Sequence, residues 1–155
     1  PLEIFEAVRR AWPSKKSLGM RISASDWDNA GWSIDDSVIF ARELKQLGCD
    51  FVDCSSGGNS PNRPPVGPGF PGYQLPFSEQ VRNESDISTI AVGMLRDYNL
   101  AEEAISNGKA DLIALGRGML YDSRWAWHAA HELGGKASYP NQYARSEPEK
   151  WPKAF

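Results

Sequence analysis

Three apolar segments of the 155-residue chain run out into small residues. Phe51–Cys54 leads into Ser55-Ser56-Gly57, the segment 87–94 closes at Gly93, and Asp111–Leu115 leads into Gly116-Arg117-Gly118. Glycine lets another group come close to the backbone. Backbone N–H groups at such turns and helix starts cradle phosphate, and Arg117 adds a charge and a planar fork of donors. Ser56, Gly57, Gly93, Gly116 and Arg117 therefore form a candidate phosphate cradle. The alternative is that these glycines only permit tight strand-to-loop turns. Arg21 stands in an otherwise small, apolar segment, where a guanidinium needs a partner. An anionic or electron-rich ligand is one partner; an ion pair with Asp26 or Asp53 is the other, and spacing leaves both open.

Other motifs carry less. Gly67–Gly72 matches G-x-G-x-x-G, yet it neither follows a strand nor opens a helix, and its prolines remove donors. It reads as loop. His128 and His131 lie three apart on a helical segment without a suitable further metal ligand, so packing or exposure is expected and no metal site is assigned. Asp26 and Asp28 read as loop caps rather than paired acids. Cys54 has no base beside it and reads as a small buried residue. Asn83-Glu84-Ser85 fits a glycosylation acceptor but is expected to be silent. Trp125 and Trp127 are expected to pack the last helix.

The elements that must position these residues alternate regularly. A helix over 1–12 ends at Pro13, and a strand over Leu18–Ser25 follows. Ser33 caps a helix that carries Asp35 and Asp36 in its first turn and closes at Gly48. After the strand at Phe51–Cys54, the Pro/Gly-rich stretch Asn59–Pro76 is a long loop, which favours a covering role. A helix over Phe77–Asn83, a strand over Ile87–Met94, a helix over Leu100–Ser106, a strand over Asp111–Leu115 and a helix over Ser123–Leu133 complete the series. The tail from Lys136 shows no clear periodicity. Such alternation predicts an α/β fold with parallel strands and helical crossovers. Ligands of such folds sit at the carboxyl ends of the strands. Four units are half the complement of a (β/α)8 barrel, and a small doubly wound sheet is the competing architecture. Residues 1–135 are read as the half-barrel and 136–155 as a C-terminal tail at a subunit interface.

Composition narrows the function. Seventeen Lys+Arg against twenty Asp+Glu leave a net charge of −3, which argues against an electrostatic nucleic-acid binder. No apolar run approaches the roughly 20 residues of a membrane span. No secretory leader opens the chain, and two cysteines cannot staple a domain of this size, so a cytoplasmic protein with reduced thiols is expected. The chain begins at Pro1, directly in a helical pattern, as though an upstream part were missing.

Five ordered motifs resemble the old yellow enzyme family. They are Arg21-Ile22-Ser23-Ala24-Ser25-Asp26-Trp27, Asp53-Cys54-Ser55-Ser56-Gly57, Pro71-Gly72-Tyr73-Gln74, Ala91-Val92-Gly93-Met94 and Ala110–Arg117. The branch they are most similar to is the bacterial NADPH dehydrogenase and xenobiotic reductase group, the thermophilic-like ene-reductases, over the second half of that family's barrel. The resemblance implies an FMN-dependent oxidoreductase, with NADPH as co-substrate, that reduces activated alkenes such as α,β-unsaturated carbonyls. It implies that Arg21 reaches the flavin pyrimidine edge and stabilises its anionic reduced form. Ser56, Gly57, Gly93, Gly116 and Arg117 would hold the FMN phosphate. The substrate-carbonyl donors and proton donor would lie in an N-terminal half, so no catalytic residue is assigned here. Gln142-Tyr143-Ala144-Arg145 matches the segment whose arginine enters a neighbouring subunit's active site, which makes Arg145 the candidate and a homo-oligomer the expectation. Two alternatives stay open: another FMN barrel of the dihydroorotate or dihydrouridine type, and an isolated half-barrel that binds FMN or phosphate without catalysis.

Overall fold

The computed structural model describes residues 1–59, 61 and 70–152. The central run of the long loop, including Gly67, Pro68 and Gly69 of the rejected glycine motif, lies outside the described residues. The chain divides into two compact units, Pro1–Leu115 and Gly116–Phe155.

The first unit is built from repeated β/α steps. Helix α1 (Leu2–Ala11) has Glu3 in its first turn and Arg9 and Arg10 in its last, signs that suit the helix dipole. It buries Phe5, whereas Val8 and Trp12 are exposed. Strand β1 is Gly19–Ser23, shorter at both ends than expected. Helix α2 (Ile34–Gln46) opens with the expected cap, made reciprocal. Ser33 Oγ accepts from the Asp36 backbone N–H at 3.2 Å, and Asp36 returns a carboxylate oxygen to the Ser33 N–H at 2.9 Å. The Ser33 hydroxyl, which donates to Asp36 Oδ2 at 2.6 Å, and then the Ser33 N–H hold the Asp36 carboxyl below its ordinary pKa. Gly48 closes α2 at φ +83°.

Strand β2 is Phe51–Ser55. Helix α3 runs Leu75–Ser85, two residues longer at each end than expected. Pro76 was counted with the loop, but a proline in the first helical turn loses no needed hydrogen bond. Strand β3 is Ser88–Val92, α4 is Tyr98–Ser106 with Asp97 as its cap, and β4 is the short Leu112–Ala114. The four strands form one parallel sheet in the order β1-β2-β3-β4. Sequential parallel neighbours joined by helices make this a partial (β/α)8 barrel.

The two faces of the sheet differ. Successive side chains point to opposite faces, and register partners share one. Met20, Ile22, Val52, Cys54, Thr89, Ala91 and Ile113 share the first face. It is covered: Ile22, Val52 and Cys54 join Phe5, Val38, Ala41, Leu44 and Val81 in one core, and Ala91 joins Leu75, Leu95 and Ala104 in a second. The opposite face carries Arg21, Ser23, Asp53, Ser55, Ile90, Val92, Leu112 and Ala114. None of these is fully buried, and Leu112 is 56% exposed. Asp111 ties the sheet to α3: it accepts the Thr89 N–H at 2.8 Å and takes Arg82 Nε on both oxygens at 3.1 Å.

In the second unit the Gly116-Arg117-Gly118 turn passes at once into a short helix, α5 (Arg117–Tyr121), where only a loop was expected. Leu120 and Tyr121 on it are exposed, so no apolar period announced it. The last long helix is α6, Trp125–Glu132. Its approach is a side-chain turn in which Asp122 accepts the Arg124 N–H at 3.0 Å. The tail, expected to be irregular, makes two 3-10 turns, Asn141–Ser146 and Pro148–Lys150. Trp127 packs on Tyr139 and Tyr143 with ring centroids 4.6 and 5.4 Å apart, and the Arg124 guanidinium lies over Trp127 and Tyr143. Among the described residues no helix is long and apolar enough to cross a membrane.

Candidate functional site at the strand ends

Alternation along β1 decides where Arg21 goes. Its neighbour Ile22 is packed into the helix-covered core, so Arg21 stands on the open face. Its side chain is 62% exposed. Register places Asp53 directly across on β2, and Arg21 Nη1 lies 3.5 Å from Asp53 Oδ2. Nη2 donates to Ser55 Oγ at 3.1 Å. Of the two partners the sequence offered, Asp53 is the one found. Asp26 is occupied elsewhere, accepting the Trp32 N–H at 3.0 Å, while Asp28 takes the Ala30 N–H. Both are loop caps, as read.

Asp53 is the more enclosed partner, with 16% of its side chain exposed. Its Oδ1 is buried and has no hydrogen-bond partner among the described residues. Burial pushes its carboxyl above the ordinary value, and the Arg21 charge offsets part of that rise. Cys54, on the covered face, is pushed up to about 12 by burial and by the neighbouring Asp53 charge. It is a thiol at neutral pH and does not serve as a nucleophile.

The loops beyond β1, β2 and β3 are locked together by one chain of hydrogen bonds. Trp27 Nε1 donates to Ser56 Oγ at 3.0 Å, and Ser56 Oγ donates to Gln74 Oε1 at 2.6 Å. Gln74 Nε2 donates to the Val92 carbonyl at 2.9 Å, and the Gly72 N–H reaches the Gly93 carbonyl at 3.0 Å. The strand tips at 56–57 and 93 are therefore drawn together. The Gly57 N–H already has a protein acceptor. That group donates to the Ser25 carbonyl at 3.2 Å, and the Ser56 hydroxyl is engaged as both donor and acceptor. These two residues frame the site. Gln74, buried and bridging two strand ends, was missed as an organiser; only its place after the Pro-Gly-Tyr run hinted at it.

Gly93 has a distinct role. Its φ is +124°, and a Cβ there would fall 2.8 Å from Gln74 Nε2. Only glycine brings the backbone this close to the bridging amide. Trp27 also takes a left-handed conformation, φ +58°, steadied by its N–H bond to Ser25 Oγ at 3.1 Å. Strain of this kind collects at binding sites.

Gly116 and Arg117 fall in the second unit, both exposed, with Arg117 the first residue of α5. A Cβ at Gly116 would meet nothing within 4 Å. Arg145 is exposed on the first 3-10 turn of the same unit. His128 Nδ1 lies 2.8 Å from Asp122 Oδ2, and no group of three or more His, Cys, Asp or Glu suited to a metal occurs among the described residues.

The first unit's residues fit one end of FMN. A guanidinium on an open face, with Ile90 on the same face two strands away across Asp53, suits an electron-rich edge and an apolar ring plane. The paired but exposed Arg21 is the observation that meets this requirement.

The chain is 44% identical over 143 residues to an NADPH dehydrogenase of Geobacillus thermodenitrificans (strain NG80-2). It is 42% identical over 143 residues to an NADPH dehydrogenase of Bacillus subtilis (strain 168). Each match covers 92% of this chain and 41% of the relative, so the chain spans well under half the length of these curated relatives. Among solved structures, a 2-naphthoyl-CoA reductase in complex with 2-naphthoyl-CoA superposes with a TM-score of 0.71 over 86% of this chain and 20% of its own. At 17% identity that likeness is one of fold. The model of the NADH:flavin oxidoreductase / NADH oxidase family matches residues 1–135, and the chain belongs to that family.

Proposed function

We propose that this chain is the flavin-phosphate side of an FMN-dependent ene-reductase. Family membership implies FMN, and the relatives' names imply NADPH. When bound, FMN would supply the means of hydride transfer from NAD(P)H to the β-carbon of an activated alkene such as an α,β-unsaturated carbonyl.

The chain's own residues bind and orient. Arg21 sets its guanidinium against the pyrimidine edge, where a fixed cation favours negative charge on the ring without reorganising at the moment of reaction. In the first unit Ser56, Gly57 and Gly93 are the proposed phosphate contacts; in the second, taken by itself, Gly116 and Arg117 are. Ile90 and Val92 would give the same sheet face an apolar surface. Arg145 reaches a neighbouring subunit of a homo-oligomer. The groups that bind the substrate carbonyl and supply the proton reside in an N-terminal half-barrel, the chain's proposed partner. Two free, buried cysteines suit a cytoplasmic setting.

The observation that carries this reading is Arg21 on the uncovered sheet face, paired to Asp53 and Ser55 rather than packed beneath a helix. The test mixes the purified chain with FMN, NADPH and cyclohexenone, with and without a complementing N-terminal half. Flavin-dependent turnover is expected only in the mixture. Turnover by the chain alone, or none in a mixture that holds flavin, would count against it.

A further inference from the structure

The Arg21–Asp53 pair has an unusual division of exposure. The cation is the open partner and the anion the enclosed one, at 62% and 16%. Arg21 is held from two strand positions on β2, Asp53 at 3.5 Å and Ser55 at 3.1 Å. Two anchors fix both the direction and the roll of a planar group. A single hydroxyl would leave the long side chain free to sample other rotamers, at a cost when a ligand must order it. Asp53 Oδ1 has no donor among the described residues, so none of them spreads that oxygen's charge into the backbone. Its field acts on whatever Arg21 faces.

We propose that Asp53 is a positioning residue that fixes Arg21 across the open sheet face and, through its own charge, limits how strongly that guanidinium favours negative charge on the bound ring. The proposal rests on the flavin reading above. With Asp53 ionised, the pair presents a near-neutral couple whose positive end faces outward. With Asp53 neutralised, the same site presents a full uncompensated cation. Opposite charges a few ångströms apart in a partly enclosed setting interact too strongly for this change to go unnoticed.

Two measurements test it. In the full chain alone, the Asp53 side-chain carboxyl is titrated by carbon NMR in the wild type and in Arg21→Met. Removing the guanidinium is expected to raise the Asp53 midpoint further. An unchanged midpoint would overturn the pairing, whatever the flavin does. In the holoenzyme formed with the N-terminal half, Asp53→Asn is expected to shift the bound flavin's reduction potential in the positive direction. Asp53→Glu, which keeps the charge, is expected to return it toward the wild-type value. A potential that stays put in Asp53→Asn while thermal stability changes would reduce Asp53 to a structural role and overturn the proposal. A holoenzyme that takes up no flavin would sink the functional reading and the tuning role together, with the pair's titration in the chain alone still standing.

Discussion

At the scale of single residues, Asp53 and Gly93 show what the site costs the fold. Asp53 is a carboxylate whose pKa is raised on folding because burial outweighs the attraction of Arg21. A raised carboxylate pKa means the folded state binds a proton more tightly than the unfolded state. Its contribution to stability is therefore greatest below the ordinary carboxylate pKa and is lost as pH rises through the raised folded value. Urea unfolding of wild type and Asp53→Asn across that window is expected to show stability falling with rising pH in the wild type relative to the variant. Equal slopes would mean that Asp53 is solvated like a surface acid. Gly93→Ala adds a Cβ at φ +124° and 2.8 Å from a bonded amide nitrogen. Strain of that kind costs about 1–3 kcal/mol, readable as a lower urea midpoint with an unchanged slope. A neutral substitution would mean that Gln74 moves aside freely.

At the scale of elements, the caps decide where the helices start. The Ser33–Asp36 capping box settles the first turn of α2, which buries Val38, Ala41 and Leu44 against the sheet. Ser33→Ala removes the acceptor for a first-turn N–H and is expected to destabilise the protein by about 1 kcal/mol, as read by thermal or chemical unfolding. Retention of full stability would show that Asp36 suffices by itself. Ser33 was legible because a serine followed three residues later by an acid is a local signal. Pro76 and the helix at Arg117–Tyr121 were not. A proline reads as a breaker until its position in the turn is known. Leu120 and Tyr121 leave no apolar stripe because they face outward.

At the scale of the sheet, β1 and β4 are its edge strands, and one face carries no fully buried side chain among Arg21, Ser23, Asp53, Ser55, Ile90, Val92, Leu112 and Ala114. Unpaired strand edges seek partners. A complementing half-barrel would pair those edges and cover Leu112, Ile90 and Val92. A partner that binds only the folded chain raises its melting temperature in proportion to the logarithm of free partner concentration. Titrating the N-terminal half into this chain is expected to give that rise, and calorimetry checks it. A melting temperature independent of partner concentration would argue against association through these edges.

The alternating apolar segments, the glycine-lined ends, Ser33 and the family motifs were all determined by the sequence alone, because each is a local pattern of side-chain type. Tertiary structure alone decided that Arg21 pairs with Asp53 rather than Asp26, that Ser56 and the Gly57 N–H are already engaged, and that Gln74 ties the strand tips together. Those outcomes depend on parallel register across β1, β2 and β3. Register is set by the packing of Ile22, Val52 and Cys54 beneath the helices, a collective property that no short stretch of residues contains.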